Sequence, residues 1–518
     1  MNDSFDIAVI GSGFAGSIMA MIAKRLGYSV VLLERGHHPR FAIGESSTPL
    51  ANLLLEELAT TYDLPRLLPL TKWGSWQREH PQLACGLKRG FTFYHHRAGE
   101  GFSSRPDRSN ELLVAASPND QVADTHWFRA DVDHFLVKEA QSIGVDYRDE
   151  VDLHGVDFKS EAAKIAYTRH GEPGTLTAGF VIDAGGPNGF LSRQLGLHRM
   201  ASADIPATRS LYTHFRGVKD CGLSGNEGGN PPPYPPDSAA VHHVFEGGWV
   251  WSLRFNNGIT SVGIMATEPL ASKLKLEEGE PAWRRLLARF PTLQTIFSDA
   301  QPVRPFTYSP CVSFRASKVS GERRALLPSA AGFIDPLLST GIPLTLLGIQ
   351  RLAGMLKNDW DSDRMAGQLE RYAEQTGVEQ DAAARLIRAL YQSMSDFDRF
   401  VPVSLLYFAA ASFSEVARRL NRPELAGGFL MHDHPTFGPA MQRCCESMAQ
   451  GGGTSESLHE EVLQAIAPID IAGLSRTDRA NWFPVDLSDT LTAAGKLGVD
   501  AAALHAMFRR CGVSRASR

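Results

Sequence analysis

The first 35 residues place short apolar runs on either side of a glycine turn. Branched apolar residues from Ile7 to Ile10 predict a buried strand, and the turn GSGFAG that follows opens a helix rich in alanine and methionine. A second apolar strand is predicted from Ser29 to Leu33, and it ends at an acid, Glu34. This order of strand, glycine turn, helix and strand predicts a βαβ unit of the dinucleotide-binding type.

Each glycine of the turn has a physical reason for its position. Gly11 permits the tight turn, Gly13 lets the backbone approach a pyrophosphate at the helix N-terminus, and Gly16 allows the helix to pack closely on the strand. Glu34 is placed to accept a hydrogen bond from a ribose hydroxyl. We therefore expect the cofactor to contact this turn, and the predicted contacts also include Phe14, Ala15 and Arg35.

Two later glycine-rich segments favour FAD over NAD. A buried strand is predicted from Phe180 to Ile182, and the sequence DAGG at 183–186 follows it as a second close approach of the backbone after a strand. Two such turns around one nucleotide are typical of FAD domains with the glutathione-reductase fold. The predicted contacts in this segment are Asp183, Ala184 and Gly185.

A third segment and a helix add further candidate contacts. An apolar strand leads through a loop at Asp335 and Pro336 into a long amphipathic helix, at the place where such flavoproteins hold the ribityl chain. Another helix is predicted to begin at Phe128, so that Arg129 is available to hold a flavin or phosphate group. The alternative for Arg129 is a solvated charge at the helix N-terminus.

The segment CGLKRGFTFY, residues 85–94, has the period-2 alternation of a strand. A continuous strand places Leu87, Arg89, Phe91 and Phe93 on one face. It places Lys88, Gly90, Thr92 and Tyr94 on the other face. On this pattern alone, Lys88 is a surface cation beside a strand.

Length and composition predict a soluble α/β protein. The chain has 518 residues, of which 43% are apolar and 21% charged. We expect a composite FAD-binding domain at 1–350, with a mainly antiparallel sheet on the substrate side interleaved at about 85–128 and 200–320. Helical periodicity then predicts a helical C-terminal region at 351–518.

Charge and cysteine content argue against several classes of partner. The net charge of -5 gives no reason to expect nucleic acid, and the six cysteines lack the CxxC spacing of a zinc site or a disulfide framework. We expect no metal. Acids near the N-terminus and the lack of an apolar run of roughly 18 residues favour the cytoplasm and no membrane. A homodimer is one candidate for the oligomeric state.

Together these segments resemble the flavin-dependent halogenases, which share their fold with the aromatic hydroxylases. The resemblance implies that reduced FAD, oxygen and chloride or bromide yield hypohalous acid, which travels to a separate substrate chamber. The sequence HPRFAIGESSTP, 38–49, matches a segment that contacts flavin in the family, and GFIDPLLSTG, 332–341, matches a loop thought to hold halide. The match implies cofactor contacts at Gly44, Glu45, Ser46, Ser47, Thr48 and Ile342, and a halide at Ser339, Thr340 and Gly341.

The family chemistry requires a lysine in the chamber. It acts by polarising hypohalous acid or by forming a haloamine. In the branch that acts on phloroglucinol-like rings, the lysine lies in a segment that resembles ACGLKRGFTF, which favours Lys88. In other members it lies earlier in the chain, so Lys72 in LPLTKWGSW is the rival.

The resemblance also implies a phenolic substrate, either free or carried on an acyl carrier protein. Relatives that act on tryptophan have a glutamate where this chain has Leu338. Without that general base, a phenol is favoured over an indole, because its ring is already activated toward electrophiles. The resemblance also implies that the C-terminal region at 351–518 caps the substrate chamber with helices near Leu405 to Phe413. The predicted substrate contacts are Phe91, Phe93, Tyr94, Leu338 and Leu405.

One departure from the family pattern leaves other functions open. The family signature Trp-x-Trp-x-Ile-Pro reads WVWSLR here, so Arg254 replaces the proline of a motif thought to suppress monooxygenation. An aromatic hydroxylase and an inactive flavin-binding protein are therefore the alternatives to a halogenase. Only one convincing nucleotide fingerprint is present, so we expect a separate flavin reductase to supply reduced FAD.

Overall fold

The computed structural model describes residues 3–197, 206–222, 231–360, 362–451 and 453–513. The strands are β1 Ser4–Ile10, β2 Val30–Leu33, β3 Cys85–Lys88, β4 Gly90–His95, β5 Glu111–Ala115, β6 Asp124–Trp127, β7 Asp146–Arg148, β8 Val151–Asp157, β9 Ala163–Arg169, β10 Glu172–Asp183, β11 Thr208–Arg216, β12 Ala240–Phe245, β13 Gly248–Arg254, β14 Thr260–Thr267, β15 Gln301–Pro302, β16 Thr307–Ser309, β17 Phe314–Arg315, β18 Ser320–Gly321, β19 Arg324–Leu326, β20 Gly332–Phe333 and β21 Trp482–Phe483. The helices are α1 Phe14–Arg25, α2 Pro49–Thr61, α3 Trp73–Glu79, α4 Arg129–Ser142, α5 Phe190–Gln194, α6 Glu268–Leu274, α7 Glu280–Leu287, α8 Pro291–Ile296, α9 Pro328–Ala331, α10 Gly341–Asn358, α11 Met365–Ser393, α12 Phe397–Arg419, α13 Pro423–Ala426, α14 Phe437–Ala449, α15 Ser455–Ile466, α16 Leu487–Thr492 and α17 Ala501–Arg510.

The first sheet carries the predicted βαβ unit. Strands β19, β10, β1, β2 and β7 lie side by side and pair in parallel. Strand β9 pairs antiparallel with β10, and β8 pairs antiparallel with β9. Residues of β1 and β2 are buried because α1 packs on this sheet, as expected for a parallel sheet covered by helices. The carboxyl ends of β1 and β10 therefore lie together, which brings the two glycine turns to one edge.

The second sheet is mainly antiparallel, in the order β15, β11, β14, β13, β12, β4, β5, β21, with β16 also paired to β11. Apart from β21, its strands come from the two intervals predicted for the inserted sheet, and one parallel pair, β12 with β4, joins these intervals. The α/β fold class, with an FAD-type sheet and a mainly antiparallel inserted sheet, is confirmed.

The C-terminal region is largely helical, and its long helix α12 packs against α2, α11 and α15. The boundary predicted at residue 350 falls inside α10, and β21 pairs with β5 of the inserted sheet, so the last third of the chain shares an edge with that sheet. Within the described ranges, α12 has the length and composition to cross a membrane, but 78% of its apolar window is buried inside the protein. That degree of burial is typical of a core helix.

Candidate active site

A cavity of about 770 Å³ lies where the glycine turns meet the inserted sheet. This volume is within the range of about 300–1,000 Å³ that is typical of small-molecule and cofactor sites. Many of the predicted cofactor residues line it: Gly11, Gly13, Phe14, Ala15, Glu34, Arg35, Gly44, Glu45, Ser46, Arg129, Ala184, Gly185, Pro336 and Ile342. The three residues of the predicted halide loop, Ser339, Thr340 and Gly341, line the same cavity.

The first glycine turn depends on the absence of side chains. Gly11 has a φ of 96°, a conformation that strongly favours glycine. A Cβ atom added at Gly16 would lie 1.9 Å from the carbonyl oxygen of Gly11, so this glycine keeps α1 close to β1. Gly16 itself does not line the cavity; its contribution is the shape of the turn.

Glu34 is held at the end of β2 by a set of donors. Its carboxylate accepts hydrogen bonds from the amide and hydroxyl of Ser12 at 3.1 and 2.7 Å, from the amide of Gly36 at 3.0 Å, and from Arg40 at 3.2 Å. Burial raises the pKa of Glu34, but the charge of Arg40 and these hydrogen bonds outweigh burial and lower it to about 2. Glu34 is therefore a fixed negative acceptor in the cavity wall.

Arg129 is neither solvated nor free, because it braces the segment before α2. Its guanidinium group donates to the carboxylate of Asp133 at 2.8 Å through two nitrogens, and to the carbonyls of Ile43 and Gly44 at 3.0 Å. The neighbouring Glu45 pairs with His214 of β11 at 3.0 Å. These contacts hold residues 43–46 across the cavity as part of its wall.

Four other predicted cofactor residues lie behind the cavity wall. Ser47 donates its hydroxyl to the carbonyl of Thr125 at 2.8 Å, and the hydroxyl of Thr48 caps α2. Asp183 accepts hydrogen bonds from the amides of Gly185 and Leu191. Asp335 is fully buried, and accepts hydrogen bonds from the amide of Leu337 and the hydroxyl of Tyr391. Each of these four side chains is turned toward the backbone or side chain that it supports and does not line the cavity, so direct cofactor contact stays a prediction for them.

The tryptophans of WVWSLR lie on one face of β13 and line the cavity with Leu253. Their rings pack with centroids 5.9 Å apart. Arg254 does not line the cavity: its guanidinium group contacts the carbonyls of Val218 and Lys219 and the carboxylate of Asp237. The arginine side chain that replaces the proline of the family signature therefore points away from the cofactor site.

Lys88 is fully buried and lies directly behind the cavity wall. Its ammonium group donates to the hydroxyl of Ser46 at 2.9 Å and to the carbonyl of Ser47 at 2.6 Å, and it lies 3.9 Å from the centroid of the Phe91 ring. Ser46 itself lines the cavity, so a single side chain separates Lys88 from the space where we expect the cofactor. Burial lowers the pKa of Lys88, and the negative charge of Asp124 partly offsets this effect.

Lys72 is placed quite differently. It is half-buried at the junction between a 3₁₀ turn and α3, where its carbonyl accepts hydrogen bonds from Trp76 and Ser75. It does not line the cavity. The geometry therefore favours Lys88 over Lys72 as the reactive amine.

The prediction of one continuous strand through residues 85–94 is wrong. The strand is interrupted at Arg89: in the described part of the chain, β3 pairs with β6 alone, and β4 belongs to the nine-stranded sheet. The interruption inverts the alternation, so Lys88 and Phe91 are on the same side. Tyr94 faces the opposite side of the sheet, where its ring contacts Phe102 at 5.1 Å and His243 at 5.9 Å.

Phe91 and Phe93 belong to an aromatic cluster between β4 and α12. Phe93 stacks on His242 with centroids 4.4 Å apart, and Phe91 contacts Tyr407 at 6.0 Å and Phe408 at 5.4 Å. Leu338 and Leu405 are buried in the same core cluster. None of these predicted substrate residues lines the 770 Å³ cavity, and their contact with substrate stays a prediction.

Comparison with known proteins decides the family. Residues 115–400 match the family model described as tryptophan halogenase. The chain is 30% identical to monodechloroaminopyrrolnitrin halogenase PrnC of Pseudomonas fluorescens, over 76% of this chain and 69% of the relative, and 30% identical to tetracycline 7-halogenase of Kitasatospora aureofaciens, over 79% and 73%. The structure of halogenase PltM in complex with phloroglucinol and FAD superposes with a TM-score of 0.82 at 26% identity, and covers 92% of this chain and 99% of that one.

The chain belongs to the flavin-dependent halogenase family. It is an enzyme that uses FAD and halide, as the relatives and the FAD-bound structure support. The cavity of this halogenase fits FAD on its own evidence: a glycine cradle lies at the N-terminus of α1, and a fixed carboxylate is placed for a ribose at Glu34.

Several cavity residues of the halogenase were missed by sequence reasoning. Arg40 and Phe41 lie within the segment 38–49 that had already suggested flavin contact, so their position in that segment was an available signal. The others come from strands of the inserted sheet or from the helix after the second glycine turn, and no local pattern distinguishes them: Arg193, Tyr212, His242 and Met265.

Proposed function

We propose that this halogenase transfers halogen to a small, electron-rich phenolic ring, with Lys88 as the catalytic residue. The observation that carries the proposal is the buried Lys88 ammonium group, which bonds to Ser46 of the cofactor cavity and lies over the Phe91 ring. A cation enclosed in apolar surroundings donates a stronger hydrogen bond than one in water. This placement supports a role in directing the electrophile.

The proposed reaction has two parts, one in the cofactor cavity and one at Lys88, and Ser46 lies between them. When bound, reduced FAD and oxygen supply the oxidising equivalent that converts halide to hypohalous acid. We propose that the halide is held by Ser339, Thr340 and Gly341, because the first amides of the 18-residue helix α10 have no acceptor within the helix and the helix dipole favours an anion there.

At the substrate, Lys88 would donate a proton to the oxygen of hypohalous acid. The bond between oxygen and halogen breaks as the bond between carbon and halogen forms, and the oxygen leaves as water. The ring proton then returns to the lysine, so the reaction consumes a phenol and hypohalous acid and yields a halophenol and water. Protonation of the leaving oxygen is general acid catalysis, which contributes about 10²–10⁴-fold in rate.

The preference for a phenol is supported by Leu338. Leucine stands where tryptophan-directed relatives are expected to have a glutamate, so this position supplies no carboxylate, and its side chain is fully buried in the core. A phenol needs less help to lose its ring proton than an indole does. The structural similarity to PltM, solved with phloroglucinol, supports the same substrate class.

The remaining contacts are proposed from the aromatic cluster. Phe91, Phe93, Leu338 and Leu405 are the proposed substrate neighbours, whereas Tyr94 is withdrawn because it faces the other side of β4. A separate flavin reductase is the proposed partner. The substrate is either free or bound to a carrier protein, as in the relative named 1H-pyrrole-2-carbonyl-[peptidyl-carrier protein] chlorinase. We propose the cytoplasm as the location and leave the oligomeric state open.

The test is a product-mass assay. Purified protein is incubated with a flavin reductase, NADH, oxygen, phloroglucinol and bromide, and products are read by mass spectrometry. Wild-type protein should give bromophloroglucinol. Lys88→Ala should give none while reduced flavin is still oxidised, and Lys72→Ala is the matched control that should keep bromination.

Each other outcome contradicts a defined part of the proposal. Products with inserted oxygen and no bromine would indicate an aromatic hydroxylase. Flavin oxidation without any modified ring would leave only flavin binding. Bromination that survives Lys88→Ala and disappears in Lys72→Ala would reassign the reactive amine to Lys72.

A further inference from the structure

A buried carboxylate lies opposite Lys88 on the neighbouring strand. In the two-stranded sheet of β3 and β6, Lys88 is the cross-strand partner of Asp124, and both side chains are buried. Leu338 stands where tryptophan-directed relatives have a glutamate. Asp124 lies elsewhere in the chain, and the pairing of β3 with β6 brings its carboxylate opposite the proposed catalytic lysine.

The hydrogen bonding of Asp124 is incomplete. One carboxylate oxygen accepts a hydrogen bond from the side-chain amide of Asn52 in α2 at 2.8 Å. The other oxygen has no hydrogen-bond partner among the described residues, although it is buried. A buried carboxylate with an unpaired oxygen is costly to keep, so a role in function is a better explanation for it than stability.

The other titratable groups around the pair are balanced or neutral. On α12, Glu415 and Arg419 bond to each other at 2.7 Å, so their opposite charges act on Asp124 together. Burial raises the pKa of Tyr407, also on α12, above its usual range, so that phenol stays neutral.

The two nearby histidines are also uncharged. Burial and the charge of Lys88 lower the pKa of His126 on β6 to about 3, and burial does the same for His242 on β12. Asp124 is therefore the acidic group that acts on Lys88. Among the described residues, its carboxylate is bonded to the amide of Asn52 and to no cation.

We propose that Asp124 is the positioning residue that keeps a proton on Lys88 and thereby sets the pH range of halogenation. This inference rests on the proposed role of Lys88. Asp124 supplies the negative charge that the glutamate supplies elsewhere in the family, and it acts through the lysine without contacting the ring. Burial raises the pKa of Asp124 while it lowers that of Lys88, and the charge of each group opposes the effect of burial on the other, so the protonation of one depends on that of the other near neutral pH.

Asp124→Asn tests the proposal, because it removes the charge and keeps the shape. Without the carboxylate, the pKa of Lys88 falls further. A nearby opposite charge shifts a pKa by about 1–3 units, and because Lys88 and Asp124 are cross-strand neighbours without a hydrogen bond between them, we expect the lower end, about 1 unit. A plot of bromination rate against pH has a limb whose midpoint reports the pKa of Lys88. This midpoint should therefore move to lower pH by about that amount. If the rate falls as pH rises through this midpoint, the ammonium form of Lys88 reacts. If the rate rises instead, the neutral amine reacts.

A second readout needs neither flavin nor turnover. In protein labelled with ¹³C at the ε position of lysine, the resonance that disappears in Lys88→Ala belongs to Lys88. Its titration midpoint should be lower in Asp124→Asn than in the wild-type protein. Asp120→Asn is the matched control, because this exposed carboxylate lies just before β6 and pairs with Arg89 at 2.8 Å. Removal of the Asp120 charge should leave unchanged both the midpoint of the bromination rate against pH and the NMR titration midpoint of Lys88.

The outcomes separate this inference from the proposed function. If Lys88→Ala abolishes bromination and Asp124→Asn leaves both titrations in place, Asp124 has no such role and the lysine assignment stands. If Lys88→Ala brominates normally, the proposed function itself fails. Should Asp124→Asn not fold, Asn52→Ala removes the hydrogen bond that favours the charged carboxylate, and both midpoints should fall by a smaller amount.

Discussion

Gly86→Ala is expected to separate halogenation from cofactor binding. Gly86 lies on β3, two residues before Lys88, and an added Cβ would lie 1.9 Å from the carbonyl oxygen of Arg254 and 3.0 Å from the ring of His126. Arg254 cannot withdraw easily, because its strand pairs with β14 and its side chain is held by Asp237. The methyl group must therefore push β3 away from β13.

The geometry gives the size of the effect. Relief of the contact requires a separation of about 1 Å, and such overpacking costs about 1–3 kcal/mol of folding free energy. A displacement of about 1 Å in a positioned catalytic group lowers the rate by about 10²-fold. Because β3 does not line the FAD cavity, the affinity for FAD should stay close to that of the wild-type protein.

Three measurements check this reasoning on the same preparation: FAD affinity by flavin fluorescence, bromination by product mass, and the free energy of unfolding in urea. Gly155→Ala is the matched control, since it is also a strand glycine and nothing lies within 4 Å of its added Cβ. If Gly86→Ala brominates at the wild-type rate, or if Gly155→Ala loses as much activity, the close approach of β3 and Arg254 does not position Lys88.

Three further predictions concern the cavity and its surroundings. Gly16→Ala should weaken FAD binding in a fluorescence titration by about tenfold or more, because its Cβ would lie 1.9 Å from the Gly11 carbonyl; unchanged affinity would contradict this. The lowered pKa of Glu34 contributes about 3 kcal/mol of stability, which is complete above pH 4.5 and is lost as pH falls toward 2. In urea unfolding, the free energy of unfolding of Glu34→Gln should therefore fall less over that pH interval than that of the wild-type protein. Arg254→Ala should lose about 1 kcal/mol of folding free energy and still give no oxygenated product; a hydroxylated ring would show that Arg254 suppresses monooxygenation.

The cofactor side of the molecule could be predicted because its contacts are encoded locally. A glycine turn, the helix that it opens and the acid at the end of the next strand lie within 35 residues, and each has a steric or electrostatic cause. The same logic explains why two of the expected cofactor residues do not line the cavity. Asp183 and Asp335 occur in the expected segments, but the direction of a carboxylate within a turn depends on which amides it can reach.

The substrate side could be predicted only in part. Lys88 was suggested by its sequence context, but its neighbours depend on long-range pairing. Alternation assumes an unbroken strand, and a single interruption at Arg89 was enough to place Tyr94 on the wrong side. No sequence pattern indicated Asp124, because it is the register between β3 and β6 that brings it opposite the lysine.

The interruption at Arg89 gives the two halves of this segment separate mechanical supports. Lys88 is anchored by a two-stranded ribbon, whereas Phe91 and Phe93 belong to the large sheet that packs under α12. The aromatic wall can therefore be remodelled for rings of other shapes without a change in the strand that carries the amine. For directed evolution, β4 and α12 are the places to vary, and β3 with β6 is the part to leave intact.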